Sequence, residues 1–153
     1  MRVGHAGVAL AVKRASPRLP LWLLVAAAYG PDIVEVVARA LGHSNTELSH
    51  SLVSVAICAT VIAGTYAAWT RDLSGAALLW LTYALHWPAD FITGRKPTWP
   101  GGPEVGLDFY EYRRRVWVLD LGVFAAGWLV YRHRPQTTSA HAHATGTGTE
   151  AGG

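Results

Sequence analysis

Charged residues are scarce in this sequence. They make up 15% of its 153 residues, while hydrophobic residues make up 51%. Because an average soluble domain is about 25% charged, this composition is typical of a small membrane protein. The net charge of +3 is small and spread along the chain. It gives no basis for nucleic-acid binding.

Cysteine is nearly absent as well. Cys58 is the one cysteine, so no disulfide forms within the chain and its redox compartment is not indicated. The N-terminus lacks a cleavage site of small residues, and its short apolar stretch ends at Lys13 and Arg14. We predict that this stretch is retained and is not a signal peptide. No repeat of 20–50 residues is visible, which argues against a solenoid.

The sequence contains several long apolar segments. A helix crosses about 30 Å of hydrocarbon with roughly 20 residues, a length that three runs reach and a fourth approaches. Seven Trp and six Tyr are typical of chains anchored at bilayer interfaces. We predict an all-α integral membrane bundle of four spanning helices plus a short N-terminal half-membrane or interfacial helix. The predicted spans are residues 19–41, 50–69, 74–93 and 116–131, and the short helix is residues 4–14.

Two further regions complete the organisation. Residues 94–115 are rich in glycine, proline and aromatic residues, which predicts an ordered loop over one membrane face. Residues 135–153 are small, polar and low in complexity, so we predict a disordered tail. In that tail, His141 and His143 give only a weak basis for metal binding. The predicted domain is therefore residues 1–134.

Ionisable residues interrupt the apolar segments, and chain direction brings them to one membrane face. With alternating spans, the second half of segment one, the start of segment two and the end of segment three lie on the same side. The first half of segment four follows there. The N-terminal helix also begins there if it runs away from that face. The residues placed together are His5, Asp32, His50, His86, Asp90 and Asp120.

The pair His86 and Asp90 is four residues apart, so both lie on one helix face. Pro88 between them removes a backbone hydrogen bond and permits a kink. A charge at bilayer depth is costly unless it is paired, coordinated or hydrated. Histidines and carboxylates together suit zinc or a similar divalent ion. Such an ion offsets the cost of burying carboxylates and lowers the pKa of bound water toward about 7.

Each residue also has a structural interpretation. Asp32 can cap the helix after a Gly-Pro break, with Glu35 completing a capping box. Residues 49–51 can form an N-cap, and Asp120 can pair with a neighbouring arginine. His86 alone is more typical of a hydrogen-bonded helix histidine. The coincidence of all of them on one face favours the metal interpretation.

The order of these motifs resembles the bacterial membrane-bound, predicted metal-dependent hydrolases of the inner membrane over residues 4–131. The matching features are His5 with Gly7, "GPDIVEVV", "LSHSLV", "HWPAD", "KPTWPGGPEVGLDFY" and Asp120. This family is in turn similar to the zinc-dependent phospholipase C and single-strand nuclease fold. Gly94 stands where members often have histidine, and Ile33 and Val34 follow the first aspartate where a second acid is usual.

The resemblance implies roles for the matched residues. Asp32, His50, His86 and Asp90 would hold one metal, and Asp90 would bridge to a second metal held by His5. Asp32 would double as the general base, and Asp120 would be a late acidic ligand.

We therefore predict a metal-dependent hydrolase of phosphoester bonds, with zinc as the best-matching ion, in the bacterial cytoplasmic (inner) membrane. Its predicted substrate is a membrane lipid or a lipid-linked molecule. Arg95, Lys96 and Arg113 are predicted to bind phosphate oxygens. One alternative is a non-catalytic metal-binding or metal-moving membrane protein with the same ligands. Another is a structural or assembly factor, which predicts no metal.

Overall fold

The computed structural model describes residues 3–43, 47–109 and 113–133, with the backbone alone for residues 113–116. The described chain is mostly helical, which confirms the all-α prediction. Its helices are α1 (Gly4–Ala15), α2 (Leu21–Ala28), α3 (Gly30–Ala40), α4 (Glu47–His50), α5 (Leu52–Thr70), α6 (Leu73–Ala84), α7 (His86–Thr93) and α8 (Arg113–Arg132). Two short strands, β1 (Lys96–Pro97) and β2 (Glu104–Val105), pair antiparallel. The predicted tail, residues 135–153, lies outside the described residues.

Helix α5 is long and apolar enough to cross a bilayer. Its 19 residues extend for about 28 Å, close to the thickness of the hydrocarbon layer. The helix begins where the Ser51 side chain accepts a hydrogen bond from the Ser54 amide, and it ends at Arg71 in the left-handed conformation. Large apolar side chains on its sides are exposed, as expected of a helix that contacts lipid.

The first predicted span is bent by 64° between α2 and α3. Pro31 at the start of α3 has no amide hydrogen to donate to the carbonyl of Ala27, which weakens the helix at this point. Gly30 is required here, because a Cβ at this position would overlap the ring of Tyr83. The sequence predicted one spanning segment over residues 19–41 with a break at Gly30 and Pro31, and the structure has two helices with different directions.

The third predicted span is also interrupted. The helix stops at Leu85 and resumes at His86, upstream of Pro88 because a proline disrupts the turn that precedes it. Helix α8 is 20 residues long but carries arginines at both ends and Asp120 within it. Among the described residues, one helix is long and apolar enough to span, or two if α2 and α3 form one span. The prediction of four spanning helices is therefore not confirmed.

Helix α1 packs lengthwise on α8 through glycines. A Cβ on Gly7 would meet the backbone of Val123 and Phe124, and a Cβ on Gly127 would meet the backbone of Gly7. Small residues permit this close backbone approach in membrane helix pairs. At the far end, Arg14 donates to the carbonyl of His133 at 2.8 Å.

The buried apolar residues form two clusters. One lies between α2, α5 and α6, and the other lies between α1, α2 and the turn that joins them. Their buried members are Ala27, Val55, Ala59, Leu79 and Tyr83 in the first, and Ala9, Leu19, Leu24 and Ala28 in the second. The core combines alanines with a few larger residues, while many large apolar side chains face outward. Large exposed apolar surface of this kind marks a contact with lipid or a partner.

The connection after α7 is tied to the same end of the bundle. The amide of Val53 donates to the carbonyl of Thr98 at 3.2 Å, and that of Leu107 donates to the carbonyl of Phe91 at 2.8 Å. The amide of Gly101 donates to the Glu47 carboxylate at 2.7 Å. This segment therefore lies beside α4, the start of α5 and α7.

Candidate metal centre

The orientation of His86 is set by the break between α2 and α3. Its Nδ1 lies 2.9 Å from the carbonyl oxygen of Ala28, to which it donates a hydrogen bond. A neutral imidazole that donates through Nδ1 carries a lone pair on Nε2. That Nε2 lies 3.3 Å from Oδ2 of Asp90 and 3.8 Å from Oδ1 of Asp32. Among the described residues it has no hydrogen-bond partner, although it is buried.

His50 presents Nε2 to the same carboxylates. Nε2 lies 3.2 Å from Oδ1 of Asp32 and 3.7 Å from Oδ2 of Asp90. Its other nitrogen, Nδ1, lies 2.8 Å from Oγ of Ser49 and 3.4 Å from a Glu35 oxygen. The 3.2 Å contact is a hydrogen bond that Nε2 donates, because the Asp32 carboxylate can only accept. In the other tautomer, in which Nδ1 donates to Ser49 or Glu35, the Nε2 lone pair faces the aspartates, as a bound cation requires.

His5 completes the group from the start of α1. Its ring stacks on that of His86 with centroids 4.1 Å apart, and its Nε2 lies 3.8 Å from Oδ1 of Asp90. This nitrogen is buried without a hydrogen-bond partner in the part of the chain that the structure describes. Burial, reinforced by the neighbouring His86, lowers the pKa of His5 to about 3. The ring is therefore neutral and has a lone pair to offer.

The two aspartates differ in exposure. The side chain of Asp90 is 7% exposed, whereas that of Asp32 is 42% exposed. Lys96 from β1 reaches the buried one, with Nζ 3.3 Å from Oδ2 of Asp90. The centre is thus closed on the side of α7 and open on the side of α3.

The described residues form three groups of possible metal ligands, each with its ligand atoms within 4.8 Å of one another. The groups share members, so they describe one continuous centre. They are His5, Asp32 and His86; His50, His86 and Asp90; and Asp32, Glu35 and His50. The structure therefore brings together His5, Asp32, His50, His86 and Asp90, as chain direction predicted.

Asp120 also lies at this end of the bundle, at the start of α1, where it contacts backbone amides. Its two carboxylate oxygens accept hydrogen bonds from the amides of Val3, at 3.0 Å, and Gly4, at 2.6 Å. It belongs to none of the ligand groups among the described residues. A carboxylate at a helix N-terminus satisfies amides that lack an intrahelical partner. Its role as a ligand stays a prediction, and these two hydrogen bonds are those of a helix cap.

The predicted phosphate-binding residues are dispersed. Lys96 contacts the centre, Arg95 is exposed beside it, and the side chain of Arg113 lies outside the described residues. The sequence pattern predicts a capping box for Glu35 and indicates no role for the Ala28 carbonyl. The signal for Glu35 was present, since residues 32 and 35 share a helix face, but the carbonyl is exposed to His86 only by the bend.

A spanning helix with buried imidazoles and carboxylates at one end defines the class as a helical membrane protein with a candidate metal centre. The chain belongs to the YdjM inner membrane protein family, whose model matches residues 1–146. Membership supports a location in the inner membrane of bacteria, and the family's description states no reaction. No curated protein and no solved structure matches the chain.

Proposed function

We propose that this protein is a divalent-metal-dependent hydrolase of the bacterial inner membrane, acting on phosphoester bonds of a lipid or lipid-linked substrate. One observation carries the proposal: Nε2 of His5 and Nε2 of His86 are both buried and lack hydrogen-bond partners within the described residues, while facing carboxylates. Leaving such atoms unpaired costs about 1–3 kcal/mol each.

The chemistry of the donor set fits a cation. The Nδ1–H group of His86 donates a hydrogen bond to the Ala28 carbonyl. A neutral His86 would therefore point the lone pair of Nε2 at an Asp90 oxygen 3.3 Å away. Two acceptors facing each other repel, and a cation between them converts the repulsion into coordination. Three imidazoles and two carboxylates around one space suit zinc better than magnesium or calcium, which prefer oxygen ligands.

Asp32, His50, His86 and Asp90 are the proposed holders of one ion, and His5 with Asp90 is the proposed start of a second position. A bound divalent ion supplies Lewis acidity and lowers the pKa of water. Asp32 is the proposed general base because it is the carboxylate at the open side, where water and substrate arrive. Its contact with His50 fixes its position.

The substrate side is proposed from location and charge. The centre lies at the N-terminal end of the spanning helix, close to the depth of lipid head groups. Lys96 beside Asp90 and Arg95 nearby are cations that can bind phosphate oxygens. A phosphoester anchored in the bilayer reaches this depth without leaving the membrane.

The test is metal analysis joined to a phosphoesterase assay on the purified full chain. Wild-type protein loaded with zinc and desalted is compared with His86→Ala and His5→Ala, and with His133→Ala as a control at the other end of α8. We expect stoichiometric zinc in the wild type and the control, and loss of zinc in the other two. Zinc retained unchanged by His86→Ala would overturn the site.

Activity is then measured as headgroup or phosphate release from a panel of phospholipids in mixed micelles. We expect zinc-dependent release by wild-type protein and His133→Ala that Asp32→Asn abolishes. Zinc bound at the centre with no release from any lipid would contradict the hydrolase and support a metal-binding protein that is not an enzyme.

A further inference from the structure

We infer that α3 lies along the membrane surface at the depth of the lipid head groups, with its apolar face against lipid, and that it does not continue α2 across the bilayer. This inference goes beyond the proposed hydrolase, because it holds whether or not the centre binds a metal.

The two faces of α3 are sharply different. Its charged residues are three and four positions apart and therefore lie on one side of the helix. The opposite side carries large apolar side chains that the rest of the described structure leaves exposed. The charged residues are Asp32, Glu35 and Arg39. The exposed apolar residues on the opposite side are Ile33, Val34 and Val37, with Leu41 just beyond the helix.

The depth of α3 follows from its contact with α5. His50 precedes the cap of α5 by one residue, and its Nε2 lies 3.2 Å from Oδ1 of Asp32 in the first turn of α3. Because α5 has about the length of the hydrocarbon layer, its first turn lies near one surface. The start of α3 is therefore near that surface too, where the 64° bend turns it away from the direction of α2.

The same features argue for lipid as the occupant of the apolar face. A spanning α3 would carry its three charged residues through hydrocarbon, which is unfavourable unless they are paired or hydrated. An amphipathic helix that lies in the interface keeps its charged side chains in the polar head-group layer. Its apolar side chains lie at the upper boundary of the acyl chains. Val53 near the start of α5 is exposed as well, so α5 also presents apolar side chains outward at the end where its first residues lie near α3.

This position has a consequence for the centre, which rests on the proposed function. Asp32 projects from the polar face of α3 and lies at the open side of the centre. An interfacial α3 would therefore form the rim through which a headgroup phosphate enters from the bilayer.

The experiment measures depth along α3 against depth along α5 in the full chain. In a Cys58→Ala background, single cysteines replace Ile33, Val37 or Leu41, or replace Val53, Ile57 or Val61 as matched controls with the same spacing. Each is labelled with a small fluorophore in vesicles of phosphatidylcholine and phosphatidylglycerol. Quenching is compared between lipids that carry a nitroxide in the head group and lipids that carry it deep in the acyl chain.

The three α5 probes are expected to deepen by about 6 Å per step, since a helix rises about 1.5 Å per residue. The three α3 probes are expected to share one shallow depth. An α3 series that deepens as the α5 series does would show that α3 spans, and probes that no lipid quenches would show that water or protein covers the face. Either result overturns the inference.

Two checks keep the outcomes distinct. If a cysteine on α3 prevents folding, judged by gel filtration in detergent, Val34 takes its place on the same face. Zinc content is measured in each labelled variant, so that a failed metal site and a misplaced α3 are recognised separately.

Discussion

At the scale of single residues, the contact between His50 and Glu35 is the one that most directly supports the proposed ligands. Nδ1 of His50 lies near both Ser49 and Glu35, and Glu35 also pairs with Arg39. Carboxylates that accept from the far nitrogen of a ligating histidine fix its tautomer and increase its basicity. Glu35 is therefore expected to act as a positioning residue for His50.

Replacing Glu35 tests this role. Glu35→Ala is expected to raise the Kd for zinc by about 10- to 100-fold, the usual effect of losing such a partner, while Glu35→Gln keeps an acceptor and loses less. Binding is measured by competition with a chelating dye, with Glu104→Ala in the exposed strand β2 as the control. An unchanged Kd in Glu35→Ala would mean that Ser49 alone orients the ring.

Asp120 leads to a different prediction, because its carboxylate caps α1. Asp120→Ala removes acceptors from the amides of Val3 and Gly4 and is expected to destabilise the protein by about 1–3 kcal/mol. Zinc content should be retained, since the proposed ligand atoms come from other residues. Thermal unfolding in detergent and metal analysis of the same sample check both expectations. Loss of zinc from folded Asp120→Ala would restore Asp120 as a ligand.

Which residues converge could be predicted from sequence, but not how they are oriented. Chain direction alone placed His50 and Asp90 at one end, because successive antiparallel segments return to the same face. The donor bond from His86 to Ala28 could not be foreseen, since that carbonyl becomes available only where two helices meet at an angle. The periodicity of apolar residues indicates which residues share a helix face. It does not indicate which backbone carbonyl the imidazole of His86 will contact.

At the scale of elements, the α1–α8 pair determines where His5 lies. The glycine contacts bring the two backbones together, so a side chain at Gly127 must push α1 away from α8. Gly127→Val is expected to cost about 1–3 kcal/mol of stability and to weaken the second metal position through His5. Gly122→Val is the matched control on the same helix, because a Cβ there meets nothing within 4 Å.

Unfolding temperature and zinc stoichiometry are measured for both glycine variants. Equal stability of the two would contradict the close packing of α1 on α8. A destabilised Gly127→Val that keeps all of its zinc would separate the packing from the position of His5.

The lengths of the elements were predicted better than their continuity. Apolar runs mark where helices lie because the bilayer demands uninterrupted apolar surface, and α5 matches its predicted segment closely. The break at Leu85 fits the kink that Pro88 permits, and it lies upstream of Pro88 because a proline disturbs the turn before itself. The bend after α2 was signalled by Gly30 and Pro31. The close packing of Gly30 against the ring of Tyr83 was not, because the two residues are far apart in the sequence.

At the scale of the whole molecule, the candidate ligands lie at one end of the bundle together with Lys96, and they are separated from Lys13 and Arg14 at the other end. The centre is formed by α1, α3, α4 and α7 together, so no single helix holds a complete ligand set. Lys13 and Arg14 lie in the last turn of α1, and Arg14 contacts the end of α8 at His133. This separation fits a protein whose centre opens toward one membrane surface.

The central claim is that imidazoles and carboxylates from separate helices coordinate one divalent ion. Zinc K-edge X-ray absorption of the zinc-loaded full chain tests it most directly. The account predicts nitrogen and oxygen neighbours at about 2.0–2.1 Å with the scattering pattern of imidazole, absent in a His50→Ala/His86→Ala variant. A sulfur neighbour at about 2.3 Å, which Cys58 would supply, or an imidazole pattern that survives in the double variant, would contradict it.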